Sequence, residues 1–159
     1  MSIIKIRTAS PDDLNAILLL FRQTIETINS KDYSCDQIEV WKNGVSAKEK
    51  WLMKISQQFF LVAEIENTLV GFGSITPNGY LDFMYVSKDH QRIGIAQKLF
   101  DGLQKFAASN QVDKIISDVS ITAKPFFEKQ GFQTVKEQQV MIDGVQLTNY
   151  KMEKRSPLL

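Results

Sequence analysis

The sequence predicts an α/β chain folded as one domain, with its elements in the order β-α-α-β-β-β-α-β-α-β-β. Three observations carry this. A length of 159 residues, 43% hydrophobic and 23% charged, suits one domain with a proper core. Short runs rich in β-branched and aromatic residues alternate with stretches of helical periodicity, with no repeat, low-complexity tract or linker between them. At the centre, Tyr80 to Ala108 reads as a buried strand, a polar turn and then an amphipathic helix.

In chain order, residues 3–9 alternate Ile4 and Ile6 with Lys5 and Arg7, a half-buried strand. Ser10 and Pro11 open a helix with Asp12 and Asp13 in its first turn; its buried face carries Leu14, Ile17, Leu18, Phe21, Ile25 and Ile28. Ser34 with Gln37 and Ser46 with Glu49 have capping-box spacing, which predicts short helices over 34–43 and 46–55 separated by Gly44. Residues 59–63 and 69–75 form a hairpin turning near Glu66-Asn67-Thr68, and Asn78-Gly79 turns into the central strand. The helix that follows buries Ile95, Leu99, Leu103 and Ala107. A strand over 114–119, a helix over 122–130 and a strand pair near 132–138 and 140–153 complete the domain, with Asp143-Gly144 read as a kink or tight turn. The domain is placed at 1–153 and 154–159 is read as a short tail.

Composition excludes several function classes. A net charge of +1 gives no basic surplus for nucleic acid. No apolar run approaches the roughly 20 residues that cross a bilayer, and MSIIKIRTAS lacks signal-peptide character, so neither a membrane nor export is expected. One cysteine, Cys35, and one histidine, His90, supply neither an intramolecular disulfide nor a Cys/His metal cluster. A cytoplasmic protein without a metal is the expectation.

The polar turn is the chemical signal. A strand entering a helix through Gln91-Arg92-Ile93-Gly94-Ile95-Ala96 leaves the helix's first N–H groups unpaired, and the helix dipole makes them an anion site. Gly94 lets the backbone approach a phosphate, Ala96 keeps the next turn small, and Arg92 adds charge. Neither GxxxxGK[ST] nor GxGxxG is present. QRIGIA instead resembles the Q/R-x-x-G-x-G/A signature of the GCN5-related N-acetyltransferases (GNAT), whose loop holds the pyrophosphate of acetyl-coenzyme A. The resemblance extends to the preceding strand LDFMYV and to a second signature, AKPFFEKQGF, from Ala123 to Phe132.

This resemblance implies a central twisted, mixed but mostly antiparallel sheet of about seven strands, with helices on its faces. It implies acetyl-CoA lying where the central strand splays from the strand near 114–119, held by Met84, Tyr85, Val86, the loop Gln91 to Ala96, Ser120, Ala123, Phe126 and Phe127. It assigns the Val86 amide to the acetyl carbonyl, where an N–H stabilises developing oxyanion charge. The activity implied is acetyl transfer to a primary amine of a small molecule or peptide, by direct attack in a ternary complex. The alternative is a catalytically weak acyl-CoA-binding or regulatory domain; a monomer and a homodimer are equally compatible.

An amine near pKa ~10.4 arrives protonated, so a base or an ammonium-binding carboxylate is useful. Strand alternation puts Tyr80, Asp82, Met84 and Val86 on one face, with Asp82 the only acid. Asp82 is therefore the candidate base or substrate-ammonium ligand, against the alternative of a carboxylate salt-bridged to Lys or Arg. The second signature departs from the family pattern: Phe127 stands where a tyrosine often protonates the leaving thiolate, and Ser120 stands for a frequent asparagine. A general acid is then either dispensable or replaced, with Tyr80, Tyr33 and Tyr150 the candidates, and Phe127 also suits plain packing. Tyr33 and Trp41, in YSCDQIEVW beside Asp36 and Glu39, are candidate acceptor contacts for a cationic amine or, equally, helix-packing residues.

Overall fold

Two antiparallel sheets meet along one short parallel contact, and the site follows from the way they part. The computed structural model describes residues 2–156. In the first sheet β1 (Lys5–Thr8), β2 (Phe59–Ile65), β3 (Thr68–Ile75) and β4 (Leu81–Val86) pair in sequence order. In the second, β7 (Val145–Arg155) lies between β5 (Lys114–Ser120) and β6 (Gln133–Ile142). The sheets join where Tyr80 bridges Ile116 in parallel; Ile116 N–H donates to Gly79 O at 3.0 Å and Ser117 Oγ to Leu81 O at 2.8 Å. Beyond Leu81 the two strands share no ladder among the described residues, so β4 and β5 diverge. The predicted seven strands and their mostly antiparallel order are present.

Each face of the sheet buries its own core. Helix α4 (Ile95–Ser109) sets Ile95, Leu99, Phe100 and Leu103 against Leu61, Val70, Leu81 and Ile115, with Phe127 and Phe132 from α5 (Lys124–Lys129) and beyond. Each such side chain contributes about 1.5–3 kcal/mol on burial. On the opposite face α1 (Leu14–Thr27), α2 (Cys35–Lys42) and α3 (Lys48–Gln57) pack Ile17, Phe21, Ile25, Ile38 and Trp51 onto Phe60, Val62 and Phe72. Gly71 makes the α4 contact feasible: a Cβ there would come within 2.9 Å of Ile95 Cγ2 and 3.2 Å of Tyr85 O. None of the described helices is long and apolar enough to cross a membrane.

Local signals were mostly obeyed. Ser34 caps α2 with the predicted reciprocal box to Gln37. The Ser46–Glu49 box does not form. Residues Asn43–Ser46 make a 3₁₀ turn in which Ser46 Oγ donates to Asn43 O, and α3 starts at Lys48 after Ala47. The Trp51 indole donating to Gly44 O at 3.0 Å anchors that turn, a tertiary contact overriding the local cap. Asp143 and Gly144, at φ 46° and 81°, form the tight turn of a β6–β7 hairpin, so residues 140–142 belong to β6. β7 runs to Arg155, taking the first two residues of the expected tail into the sheet; 157–159 lie outside the described residues.

Candidate active site

The gap between β4 and β5 opens into a cavity of about 550 Å³. Its two ends are built by different means. At one end the β4 backbone continues into the loop and α4. Ser87 N–H donates to Val70 O at 2.8 Å, while Gly71 stands opposite Val86. Hydrogen-bonding directions alternate along an antiparallel strand, so Met84 and Val86 turn their amides away from β3, toward the gap. Val86 O, on that same side, accepts from Thr24 Oγ1 (3.2 Å) and Gln91 Nε2 (2.8 Å). Gln91 Nε2 also donates to Ser87 O, so this side chain ties the loop to the strand end.

Gly94 caps α4 at φ 96°, with no heavy atom within 4 Å of where a Cβ would stand, and Arg92 precedes it at φ 60°. The first helical hydrogen bond runs from Lys98 N to Gly94 O, which leaves the amides of Ile95, Ala96 and Gln97 without acceptors in the helix. Ile93 is exposed on the loop, while Ile95 is buried and holds the helix start on β3. Across the gap Ala123, Phe126 and Phe127 line the cavity from the start of α5. Phe127 is 3% exposed and edge-on to Phe126 and Phe132, a packing residue. Ser120 Oγ accepts from Ala123 N at 3.1 Å and turns the chain into α5. An open backbone cradle, free strand amides and an apolar wall fit a coenzyme A moiety.

At the other end the cavity is walled by side chains from distant segments: Tyr33, Trp41 and Ile28 from the α1–α2 region, and Val140, Ile142 and Leu147 from the β6–β7 hairpin. The two segments are tied together. Tyr33 OH donates to Thr148 O (2.7 Å) and accepts from Ile121 N (2.9 Å), and Gln37 Nε2 donates to Gln146 O. Tyr33 thus lines the site with its hydroxyl already engaged, and its ring stands edge-on to Trp41 at 5.1 Å. The flanking acids contribute nothing there. Asp36 and Glu39 are exposed outside the cavity lining, and Glu39 pairs with Lys42 at 2.9 Å.

Asp82 departs from the alternation expected of it. β3 Ser74 pairs with Phe83 and Ile75 with Leu81, so Asp82 is the extra residue of a β-bulge. The bulge puts Leu81 in the α4 core with Met84 and Val86, while Asp82 reaches the C-terminal end of α3. There its Oδ2 accepts from Lys54 Nζ (2.9 Å) and Gln58 Nε2 (2.8 Å), the salt-bridged arrangement of the two foreseen. Oδ1 accepts no hydrogen bond from the described residues, and Asp82 lines the cavity.

Tyr33 and Tyr85 line the cavity, whereas Tyr80 stands outside its lining and reaches it through Asp118. Burial and then the Asp118 carboxylate hold the Tyr80 hydroxyl well above its ordinary value; it donates to Asp118 Oδ2 at 2.7 Å. Burial likewise raises Tyr33 and Tyr85, the latter partly offset by the Trp41 indole beside its hydroxyl. Tyr150, the third candidate acid, lies under Lys124 Nζ at 5.2 Å and is absent from the cavity lining. Asp118, Asn149 and the hairpin's apolar residues were not foreseen. They come from strands whose faces are set by the β5–β7–β6 register, and only the alternation of Asp118 with buried Ser117 and Val119 hints at an outward carboxylate.

Comparison with known proteins agrees with this geometry. Residues 29–154 match the acetyltransferase (GNAT) domain family. The chain is 36% identical over 152 residues to the uncharacterized N-acetyltransferase YafP of Escherichia coli K12, covering 96% of each. It superposes with a TM-score of 0.93 and 30% identity on a GCN5-related N-acetyltransferase from Rhodopseudomonas palustris, over 98% of this chain and 97% of that one. The paiA N-acetyltransferase of Thermoplasma acidophilum, solved in complex with coenzyme A, shares the fold at a TM-score of 0.81 and 24% identity, over 96% and 99%. The predicted family and fold hold, and this chain belongs to the GNAT family of N-acetyltransferases.

Proposed function

We propose that the chain transfers an acetyl group from acetyl-CoA to a primary amine by direct attack in a ternary complex. The carrying observation is the cavity itself, which runs unbroken from the open amides of β4 and α4 to a side-chain-walled chamber. Acetyl-CoA supplies an activated thioester. The amides of Ile95, Ala96 and Gln97, with Gly94 and Arg92, hold its phosphates, and Met84, Ala123 and Phe126 line its path. The Val86 N–H faces the acyl oxygen and stabilises the negative charge that grows there as the amine attacks, an interaction stronger in the transition state than before it.

Asp82 is the base of this reading. Its Oδ2 is anchored by Lys54 and Gln58, which leaves Oδ1 to take the amine's proton directly or through water. Phe127 has no proton to give; a thiol of pKa ~8.5 leaves without one more readily than an alcohol would. Tyr80 does not fill the gap well, since its hydroxyl is engaged in a hydrogen bond to Asp118 and it stands outside the cavity lining.

Incubation with acetyl-CoA and a panel of primary amines, followed by mass spectrometry, tests the activity. A gain of one acetyl group on at least one amine, dependent on the protein, is expected. CoA binding without transfer to any amine would point to the non-catalytic alternative.

A further inference from the structure

The acceptor chamber carries one carboxylate that nothing neutralises. Asp82 is spent on Lys54, and the other ionisable lining groups, His90 and Arg92, belong to the cofactor loop. Asp118 forms no ion pair among the described residues. Lys151 stands opposite it in the β5–β7 register yet makes no salt bridge with it. Asp118 stands at the exposed edge of the chamber and is held there: Tyr80 OH donates to Oδ2 (2.7 Å), and Gln138 Nε2 donates to Oδ1 (2.8 Å) while also reaching Asn149 Oδ1 (3.0 Å). Two neutral donors orient the carboxylate and leave its charge intact. The rest of the chamber is uncharged: Ile28, Trp41, Tyr85, Val140, Ile142 and Leu147 make its apolar and aromatic wall, and Thr24, Asn29 and Asn149 its neutral polar groups.

From this we infer that the acceptor is a monocationic primary amine on an apolar, ring-sized body, its ammonium held by Asp118 and its body seated toward Trp41, Val140 and Leu147. The inference rests on the proposed acetyl transfer and names its substrate class. A single free carboxylate balances one ammonium; a polyamine or an aminosugar with several cations would bring charges into apolar walls without partners, which is costly. A small hydroxylated amine would leave those walls in contact with water. Asp118 is thus a specificity-determining contact, distinct from the proton-accepting Asp82.

Calorimetric titration of amines into the protein saturated with CoA reads this without turnover, so it stays informative if acetyl transfer itself fails. The probes are 2-phenylethylamine, ethanolamine and spermidine. The wild-type complex should bind 2-phenylethylamine at least about tenfold more tightly than the other two, the discrimination expected of a few buried apolar groups. Asp118→Asn should weaken 2-phenylethylamine by about 10–100-fold, the range for losing a charged hydrogen bond, with CoA affinity unchanged. Asp118→Glu should recover part of the loss, and Val140→Asn should weaken 2-phenylethylamine while sparing ethanolamine. In turnover, Asp118→Asn should act on KM more than on kcat. No binding of 2-phenylethylamine, equal or tighter binding of spermidine or ethanolamine, or wild-type affinity in Asp118→Asn overturns the inference.

Discussion

The two ends of the cleft are made of different material. The end proposed for the cofactor is mostly backbone: strand amides, a left-handed glycine and a helix start within residues 84–97, faced by the apolar wall of Ala123 and Phe126. The acceptor end is side chain, gathered from α1, α2, β4, β5 and the β6–β7 hairpin. A backbone site recognises groups that every acyl-CoA shares and tolerates sequence change so long as the local conformation survives. A side-chain site can be rebuilt one residue at a time. On the proposed function, specificity belongs to the acceptor end and the shared chemistry to the cofactor end.

Substitutions can break this division. The largest effect is expected at Asp82, on the border between the ends. Asp82→Asn keeps size and removes basicity, so kcat should fall about 10²–10⁴-fold, the usual contribution of a positioned base, with CoA affinity nearly unchanged. Steady-state kinetics on an accepted amine would show it. Wild-type kcat would leave Asp82 a purely structural partner of Lys54.

Gly71 tests whether the cofactor end depends on shape. A Cβ there meets the Ile95 side chain at 2.9 Å and Tyr85 O at 3.2 Å, so Gly71→Ala presses Ile95, the first residue of α4, away from β3. A loss of about 1–3 kcal/mol in stability, the range for overpacking, should accompany weaker CoA binding. Chemical denaturation and calorimetry check the two halves of that expectation; unchanged CoA affinity would mean that the helix start is not the cradle.

A control lies outside the cleft. Arg7 bonds Asp13 through two nitrogens, at 2.9 and 2.7 Å, and holds its carboxyl below the ordinary range. A lowered folded pKa gives stability that is present above the unfolded value and lost as pH falls through the folded one. Asp13→Asn should therefore cost about 1 kcal/mol near neutrality, with the difference from wild type shrinking below about pH 4. Thermal melts across pH measure this, and neither CoA nor amine affinity should move. The smallest effect is expected at Phe127: Phe127→Tyr should leave turnover within a few-fold or raise it, because the wild type works without an acid there. A large loss with stability preserved would show that the buried ring shapes the thioester site.

What was legible in the sequence follows the same division. The cofactor end could be read because its determinants are consecutive: LDFMYV fixes the strand, and Gly94 within QRIGIA fixes the turn. The first hairpin could be read from Glu66-Asn67, whose positive φ values serve its turn, whereas the last was placed a few residues early because Asp143-Gly144 also suited a kink within a strand. Asp82 was found for its acidity in an apolar strand, but its face was misread because a bulge leaves no sequence mark when neither residue is glycine. Trp41 and Tyr33 were found as aromatics. Their partners Ile142 and Leu147 look like any strand residues until β7 is placed between β5 and β6. Asp118 was missed for the same reason.

The central claim is that an acyl-CoA lies between β4 and β5 with its phosphates on the start of α4. Calorimetric titration of CoA into wild type and Gly94→Glu tests it most directly, because position 94 faces open space and the substitution need not disturb the core. Gly94→Glu places bulk and negative charge in the cradle and forces a side chain into a φ of 96°. The account predicts saturable binding by the wild type and loss of at least about 100-fold in the variant, equivalent to about 2.7 kcal/mol, with the circular dichroism spectrum unchanged. Equal CoA affinity in the two proteins would contradict it.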